Sequence, residues 1–344
     1  MKLLVTGGAG FIGSNFVRYW LTDHPDDEVV TLDLLTYAGV RGNVEELADH
    51  PRHRFCQGDI CDDAAIRQAM QGCDVVANFA AETHVDRSIT NATPFIRTNV
   101  EGTQTILRGA LELRVKRVIH ISTDEVYGPI LRGAHAETAA LNPRSPYAAS
   151  KAASDLLVHA YRETYGLSAI IVRPTNAFGP RQFPEKFIAL CITNAVEDEP
   201  IPIYGDGLQR RNWLFVEDLC RAIELILEQG QDGTIYNVGS SWELTNLEVA
   251  KTVLRLLEKP ERLLQFVPDR PGHDRRYAMA SAQLSQLGWH PRMPFDEGLR
   301  RTIAWYRDHP TWWQPLKAKL REDPYHWLNR TLGSSPRQTA GAVL

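Results

Sequence analysis

The chain has 344 residues, 43% of them hydrophobic, which is enough for one large domain or two with a substantial core. Its 38 basic and 42 acidic residues give a net charge of -4, which excludes a basic surface for nucleic acid. The five cysteines form no C-x-x-C pair, which argues against a zinc site and is typical of the reducing cytoplasm. No run approaches the ~20 apolar residues of a membrane span, and the N-terminal stretch MKLLVTGGAGFIG does not resemble a signal peptide. We expect a soluble cytoplasmic protein without a metal.

Short apolar runs alternate with helical patterns through the first half of the chain. Strands are predicted at KLLVTG, EVVTLD, HRFCQGDI, DVVANFAA, RVIHIST and SAIIVRP, and helices at 13–22, 62–71, 92–113 and 147–165. Alternation at this pitch implies right-handed crossovers and a parallel sheet covered on both faces. We therefore predict an α/β fold built on a Rossmann-like, doubly wound parallel sheet.

The rhythm of the chain changes after about residue 175, where proline and glycine become frequent. This predicts a smaller C-terminal α/β region that binds substrate over the carboxyl edge of the sheet. The stretch RRNWLFVEDLCRAIELILEQ is typical of a strand followed by a helix, so the chain is expected to return to the first domain. The expected division is 1–175 plus about 210–238 for the first domain, about 176–209 plus 239–330 for the second, and a flexible tail over 331–344.

The segment VTGGAGFIG follows the first predicted strand; it has G-x-G-x-x-G spacing at Gly8, Gly10 and Gly13, and G-x-x-G-x-x-G spacing at Gly7, Gly10 and Gly13. Glycines such as Gly7, Gly10 and Gly13 allow a tight turn and let the backbone approach a pyrophosphate at the N-terminus of the next helix. Asp33 ends the second strand, where an acid accepts hydrogen bonds from ribose hydroxyls and repels a 2′-phosphate. The pattern predicts NAD as the cofactor. Asp59, after the third strand, is either an adenine contact or a simple turn acid.

The segment SPYAASK places Tyr147 and Lys151 four residues apart, on one face of a helix. A lysine beside a tyrosine lowers the pKa of the phenol, and a nearby nicotinamide ring adds positive potential. Such a phenolate takes a hydroxyl proton while a hydride leaves the same carbon. An exposed helix with an incidental Tyr-Lys pair is the alternative, but the preceding glycine motif favours oxidation chemistry.

The segment HISTDEVYG carries Thr123, Asp124 and Glu125 directly after a predicted buried strand. Adjacent carboxylates repel each other, and burial raises the cost of charging them. A solvated turn would tolerate the pair. In a sheet with a cofactor at its carboxyl edge, however, this is the edge at which ligands bind. Two carboxyls whose pKa values are pushed apart provide an acid and a base from one loop.

The chain resembles the extended short-chain dehydrogenase/reductases that act on nucleotide sugars and, among them, the dTDP-glucose 4,6-dehydratase family. The resemblance covers residue 1 to about residue 330 and is carried by GGAGFIG, LDLLTYAG, AAETHVDRSI, STDEVYG, SPYAASK, RPTNAFGPRQFPEKFI, RRNWLFVEDL and DRPGHDRRYA. The glycine and Y-x-x-x-K motifs are common to the whole superfamily, whereas Thr-Asp-Glu is the discriminating triplet. Relatives that only epimerise have small or hydroxyl residues at the two acidic positions. Those that decarboxylate UDP-glucuronate or dehydrate GDP-mannose typically lack the aspartate.

The resemblance implies that NAD oxidises the sugar at C4, water leaves from C5 and C6, and the hydride returns to C6. It assigns Tyr147 as the base at C4, Lys151 as its charged partner, and Thr123 as a hydrogen-bond donor to the C4 oxygen. Glu125 would remove the C5 proton, and Asp124, held protonated, would donate to the departing C6 hydroxyl. The product would be a 4-keto-6-deoxy sugar for deoxysugar biosynthesis, such as that of rhamnose. A homodimer through the helices near 92–113 and 147–165 is also implied.

The resemblance further implies two sets of binding residues. The cofactor set is Gly7, Gly10, Phe11, Ile12, Gly13, Asp33, Thr36, Asp59, Ile60, Ala80, Tyr147 and Lys151. The substrate set is His84, Asn176, Lys186, Pro202, Tyr204, Arg211, Asn246, Arg270 and His273. Within the second set, Asn176, Arg211, Arg270 and His273 are expected at the diphosphate, Lys186, Pro202 and Tyr204 at the base, and Asn246 at the nucleotide end.

The chain departs from the family pattern at two places. Asn212 replaces the aspartate of a usual R-D-W, and AMASAQL lacks an aspartate usually found near Ser281. These departures leave the choice between dTDP, UDP and another nucleotide open.

The alternative functions are a UDP-sugar 4-epimerase, a UDP-glucuronate decarboxylase, or a non-catalytic NAD-binding sensor. Asp124 argues against the two enzymes, since neither expels a hydroxyl. A sensor would not need Tyr147, Lys151 and both acids, all of which are present.

Overall fold

The computed structural model describes residues 1–322, and its elements follow the alternation read from the sequence. The strands are β1 (Lys2–Thr6), β2 (Glu28–Asp33), β3 (His53–Gln57), β4 (Val75–Asn78), β5 (Arg117–Ile121), β6 (Ala169–Pro174), β7 (Asn176–Phe178), β8 (Ile201–Tyr204), β9 (Arg210–Phe215), β10 (Ile235–Val238), β11 (Glu243–Thr245) and β12 (Leu264–Val267). The helices are α1 (Phe11–Asp23), α2 (Asp63–Met70), α3 (Val85–Thr90), α4 (Thr93–Phe95), α5 (Thr103–Glu112), α6 (Pro146–Tyr165), α7 (Phe187–Val196), α8 (Val216–Gln229), α9 (Asn246–Leu256), α10 (Ala282–Gln286), α11 (Phe295–Asp308) and α12 (Pro310–Glu322).

A parallel sheet of seven strands within the described residues has the order β10-β6-β5-β4-β1-β2-β3. The order reverses between β1 and β4, which is the switch point where doubly wound sheets bind ligands beyond their carboxyl ends. Strands β1, β4, β5 and β6 therefore end around one crevice. The predicted Rossmann-like class and all six predicted strands of the first half are confirmed.

The predicted helix over 92–113 is not one regular helix. Its middle turn, Ile96–Gly102, has π-helical hydrogen bonding between α4 and α5. The buried Asn99 side chain in this turn accepts from Glu82 N at 2.9 Å and donates to Glu82 O at 3.0 Å and Ser150 Oγ at 2.8 Å. The hydroxyl of Ser150 in turn donates to Tyr147 O at 2.7 Å. The irregular turn thus connects the loop after β4 to the helix that carries Tyr147, in keeping with the frequent placement of π-turns at functional sites.

The second region contains a three-stranded sheet, β11-β9-β7, and the pair β12-β8. Its core consists of buried apolar residues from α7, α9, α11 and α12. We expected Arg210–Phe215 in the first domain, but this strand pairs with β7 and β11 instead. Helix α8, in contrast, packs on α1. We propose that the first domain resumes at about residue 216. The predicted tail over 331–344 lies outside the described residues, as do residues 323–330.

Two buried apolar layers cover the large sheet, one beneath α1 and α8 and the other beneath α2, α5 and α6. Asp218, at the start of α8, fastens the second region to this core. Its buried carboxylate accepts from Met293 N at 2.8 Å, Arg292 N at 3.0 Å and Arg221 Nη1 at 2.6 Å. Within residues 1–322 no helix combines the length and apolar character needed to cross a membrane.

Candidate active site

At the turn between β1 and α1, the backbone of Gly7 packs closely against that of Ala80 and against that of Gly13. Gly7 has a φ of +69°, and a Cβ there would lie 2.6 Å from Ala80 N. A Cβ on Gly13 would lie 2.3 Å from Gly7 O. Neither position has room for a side chain, so the loop stays narrow and the first N–H groups of α1 face the crevice.

The carboxylate of Asp33 holds this glycine loop from the end of β2. Asp33 Oδ2 accepts from Ala9 N at 2.9 Å, and Oδ1 accepts from Leu35 N at 2.8 Å. Asp59 is fixed similarly, by Cys61 N at 2.9 Å and Arg97 Nη2 at 2.8 Å. The first cavity is lined by the whole predicted cofactor set, namely Gly7, Gly10, Phe11, Ile12, Gly13, Asp33, Thr36, Asp59, Ile60, Ala80, Tyr147 and Lys151.

This cavity has the parts that a dinucleotide requires. A narrow glycine turn precedes a helix N-terminus, which suits a pyrophosphate. An acid at the end of β2 suits ribose hydroxyls. Tyr147 and Lys151 lie at its other end, with the loop of Thr123 and Asp124. The residues present therefore fit NAD.

The Ser-Pro-Tyr segment starts α6 and fixes the direction of Tyr147. Ser145 caps the helix by accepting from Ala148 N at 3.0 Å, and proline occupies the first turn. Lys151 lies one turn later and donates from Nζ to Ile121 O at 2.7 Å. Burial lowers the pKa of Lys151 to about 8, while the charge of Asp155 opposes that shift.

The pKa of Tyr147 differs from the sequence-based expectation. We expected a lowered pKa beside Lys151, but burial and the charge of Glu125 raise the pKa of this phenol above its ordinary value. The hydroxyl of Thr123 acts in the opposite direction on the pKa of Tyr147. The protein by itself thus keeps Tyr147 protonated, and formation of the phenolate depends on positive charge brought by the cofactor.

The acid pair lies on a short 3₁₀ turn after β5, in two different environments. Asp124 is 4% exposed, whereas Glu125 is partly exposed to the crevice. Burial and the neighbouring Glu125 raise the pKa of Asp124 to about 7. Burial also raises the pKa of Glu125, but the cations of Arg270, Arg211 and Lys186 oppose the shift. The cations favour the charged form of Glu125, and the buried site of Asp124 favours its neutral form.

A second cavity adjoins the first and is lined by all nine predicted substrate residues, namely His84, Asn176, Lys186, Pro202, Tyr204, Arg211, Asn246, Arg270 and His273. The two cavities share Thr83, Glu125, Asn176 and Lys186, and Asp124 lines the first cavity beside Glu125, so the acid pair lies where they meet. Among the described residues, five buried polar atoms of the second cavity have no hydrogen-bond partner: His84 Nδ1, Asn176 Oδ1, Glu185 Oε1, Trp213 Nε1 and Arg270 Nε. Buried polar atoms are normally paired, so these atoms indicate a site for a polar ligand.

Sequence reasoning missed Asp86, which organises the second cavity. Its carboxylate accepts from Tyr204 Oη at 2.9 Å and from Arg270 Nη1 at 3.0 Å. Burial alone would raise the pKa of Asp86, but the charge of Arg270 prevails and lowers it to about 2. Asp86 lies on α3, whereas Tyr204 ends β8 and Arg270 follows β12, so this anion connects segments that are distant in the chain. The AAETHVDRSI segment contained the signal, an acid in the first turn of a helix after a strand end.

His273 does not have the chemistry expected of it. Its Nδ1 lies 2.6 Å from Asp269 Oδ1, so Nδ1 carries the proton in the neutral ring and Nε2 is an acceptor. Burial and the nearby Arg270 lower the pKa of His273 to about 4, although Asp269 acts to raise it. A neutral ring with an acceptor nitrogen suits a hydroxyl or N–H donor better than a phosphate oxygen. The cations at this cavity are Arg211, Arg270 and Lys186.

The two positions at which the chain departs from the family pattern, Asn212 and Ser281, contact the same backbone turn. Asn212 Oδ1 accepts from Ser240 N at 2.7 Å, and Ser281 Oγ accepts from Gly239 N at 3.0 Å. Neither Asn212 nor Ser281 is among the described residues that line the two cavities. An amide and a hydroxyl thus bind adjacent backbone N–H groups, as carboxylates would. The substitutions change the support of a turn and leave the lining of the site as it is.

Known proteins that are similar to this chain agree with the two adjoining sites described above, one for a dinucleotide and one for a polar ligand. The family model of GDP-mannose 4,6 dehydratase matches residues 4–302. The low-salt glycan biosynthesis protein Agl12 of Haloferax volcanii is 51% identical over 89% of this chain and 98% of its own length. A dTDP-glucose 4,6-dehydratase of Streptomyces niveus is 48% identical over 92% of this chain and 96% of its own.

A solved structure is similarly close. DesIV, a dTDP-glucose 4,6-dehydratase from Streptomyces venezuelae crystallised with NAD and TYD, superposes with a TM-score of 0.90 at 48% identity. The alignment covers 92% of this chain and all of the DesIV chain. The chain therefore belongs to the GDP-mannose 4,6 dehydratase family, within the nucleotide-sugar branch of the short-chain dehydrogenase/reductases.

Gly13→Ala is expected to weaken NAD binding at least tenfold, because its methyl group would collide with the backbone oxygen of Gly7. The bound nucleotide released on denaturation, quantified by chromatography, and titration of the emptied protein would measure the loss. Gly42→Ala is the matched control, since its Cβ would meet only an ordinary contact with Trp312. Native-like NAD content in Gly13→Ala would contradict the role given to this turn.

Proposed function

We propose that this member of the family is an NAD-dependent dTDP-glucose 4,6-dehydratase, a hydro-lyase that converts dTDP-glucose to dTDP-4-keto-6-deoxyglucose. The observation that carries the proposal is the placement of two carboxyls with different environments, Asp124 and Glu125, where the two cavities meet beside Tyr147. Bound NAD supplies the oxidising equivalent at C4 and the reducing equivalent at C6. The chain itself must bind and orient the sugar, take the proton of the C4 hydroxyl, remove the C5 proton and later return it, and donate a proton to the departing C6 hydroxyl.

The first proton leaves the C4 hydroxyl. Tyr147 is the base, and Thr123, which lines the same cavity, is placed to contact the same oxygen. Lys151 keeps a positive charge near neutral pH and is held in place by the carbonyl of Ile121. Oxidation at C4 acidifies the proton on C5.

The elimination then needs a base at C5 and an acid at C6. Glu125 reaches the crevice and faces three cations that favour its charged form, so it is the base. Asp124 retains its proton near neutral pH and is the acid for the departing hydroxyl. An epimerisation or a decarboxylation expels no hydroxyl, so neither uses a buried acid at this position.

The nucleotide occupies the second cavity. Arg270, held by Asp86, and Arg211 provide guanidinium groups for the diphosphate, with Asn176 at the junction of the cavities. The base lies towards Pro202 and Tyr204, and Asn246 closes the nucleotide end. This orientation brings the hexose to the acid pair and to Tyr147.

Incubation of the purified protein with dTDP-glucose is expected to give a product lighter by one water, without consumption of added reductant. Mass spectrometry would follow the reaction, with UDP-glucose and GDP-glucose in parallel assays to establish the nucleotide preference. The absence of water loss from all three nucleotides would overturn the proposed function.

Glu125→Gln is expected to oxidise C4 and then stop, because the amide cannot remove the C5 proton. Stopped-flow absorbance should show NADH that accumulates and does not decay, while the native enzyme shows at most a transient signal. Normal water loss by Glu125→Gln would show that another group is the base. Asp124→Asn serves for comparison, since it leaves the C5 base intact but removes the proton donor.

We further propose that the protein acts as a cytoplasmic homodimer. Helices α3 to α6 expose apolar side chains that a monomer leaves in water: Ile89, Ile96, Leu113, Leu156 and Tyr165. The two elements named from the sequence, 92–113 and 147–165, pack against each other and provide most of this surface. All five cysteines are free, as in proteins of a reducing compartment.

Leu156→Glu is expected to convert the dimer into a monomer, since Leu156 is 60% exposed and the charge would be buried between copies. Light scattering coupled to gel filtration would measure the mass of each variant. Leu131→Glu is the control, because Leu131 is 75% exposed but lies away from these helices. A native protein of monomeric mass would refute the dimer.

A further inference from the structure

We propose that Thr175 is a positioning residue that keeps the general acid Asp124 protonated, by accepting the proton of its carboxyl group in a hydrogen bond. The inference deepens the proposed function and rests on it. Thr175 lies between β6 and β7, is 4% exposed, and is not among the residues given a role from the sequence.

The Thr175 hydroxyl has a single proton to donate. Thr175 Oγ1 lies 2.8 Å from Asn212 O and 3.2 Å from Asp124 Oδ2. The first distance is typical of an O–H···O hydrogen bond, and the second is long for one. A backbone carbonyl can only accept, so the hydroxyl proton belongs to Asn212 O.

The hydrogen bond between Thr175 and Asp124 must therefore use a proton of the Asp124 carboxyl group. Thr175 Oγ1 presents a lone pair to Asp124 Oδ2, and only a protonated carboxyl can donate to it. An ionised carboxylate there would place two lone pairs against each other in a buried site, which is costly. The hydroxyl therefore stabilises the acid form of Asp124 and also orients its proton.

The backbone around Thr175 makes this arrangement rigid. Thr175 N donates to Val238 O at 3.0 Å, and the next residue, Asn176, pairs in register with Trp213 of β9. The register of the two strands therefore fixes the position of the Asn212 carbonyl beside the Thr175 hydroxyl. Rotation of the hydroxyl towards Asp124 would break the shorter bond.

The other groups that face Asp124 come from three elements. Glu125, on the same turn, favours the neutral form, and Arg211 of β9 favours the charged form. Tyr147 of α6 interacts with Asp124 electrostatically, and Thr123 Oγ1 lies 3.3 Å from Asp124 Oδ1. Burial and Glu125 raise the pKa of Asp124 to about 7 against the opposing charge of Arg211, and in this range one hydrogen bond shifts the protonated fraction.

Thr175→Val and Thr175→Ser test the direction of the hydrogen bond through the pH dependence of kcat. In the native enzyme kcat should fall as the pH rises through about 7, because Asp124 then loses the proton it must donate. Thr175→Val should move this basic limb down by about one pH unit, the effect of one hydrogen bond on one protonation state. Thr175→Ser retains the hydroxyl and should restore the limb. If Thr175 donates to a carboxylate instead, Thr175→Val moves the limb up, and the inference is wrong.

A spectroscopic measurement separates this inference from the proposed function. The infrared carbonyl stretch of a protonated carboxyl, assigned to Asp124 by its loss in Asp124→Asn, requires no turnover of the NAD-loaded protein. At pH 7 this band should weaken in Thr175→Val and persist in Thr175→Ser; an unchanged band in Thr175→Val overturns the inference. Thr175→Ala provides the same comparison if the valine variant does not fold. A protein that dehydrates no sugar nucleotide but shows these band changes would refute the function alone.

Discussion

The arrangement of the site depends on one electrostatic constraint, the burial of two adjacent carboxyls at the end of β5. Two charges so close cannot both persist away from water, so one of the pair must stay neutral. The surroundings select which one. Glu125 faces the cations of Arg270, Arg211 and Lys186. Asp124 is buried, and burial together with Glu125 raises its pKa to about 7. The asymmetry turns a repulsive pair into a base and an acid.

The cations that create this asymmetry come from the second region, which is why the boundary between the two regions is the functional part of the fold. Arg211 lies on β9, and β9 also presents the carbonyl of Asn212 to Thr175. Arg270 is held across the boundary by Asp86. The same residues that organise the nucleotide cavity thus set the charge of the catalytic loop. Binding of the diphosphate and the chemistry at the hexose are therefore electrostatically connected.

The departures from the family pattern have a structural explanation. Asn212 and Ser281 are far apart in the chain but accept from the adjacent N–H groups of Ser240 and Gly239. Each provides an acceptor oxygen to this turn, and each lies outside the cavity walls of the described chain. The substitutions therefore give no reason to expect a different nucleotide. What the site requires at β9 is the side chain of Arg211 and the carbonyl of Asn212, which any residue provides.

Short-range spacing and the periodicity of single strands and helices were enough to predict the parallel sheet, the dinucleotide turn and the grouping of Tyr147 with Lys151. They could not predict the pairing of Arg210–Phe215, the π-helical turn at Asn99 or the role of Asp86, since those depend on partners distant in the chain. The protonation states depend on the folded arrangement as well. The pKa of Tyr147, His273 and Asp124 is governed by burial and by charges from other elements, and neither can be read from local spacing.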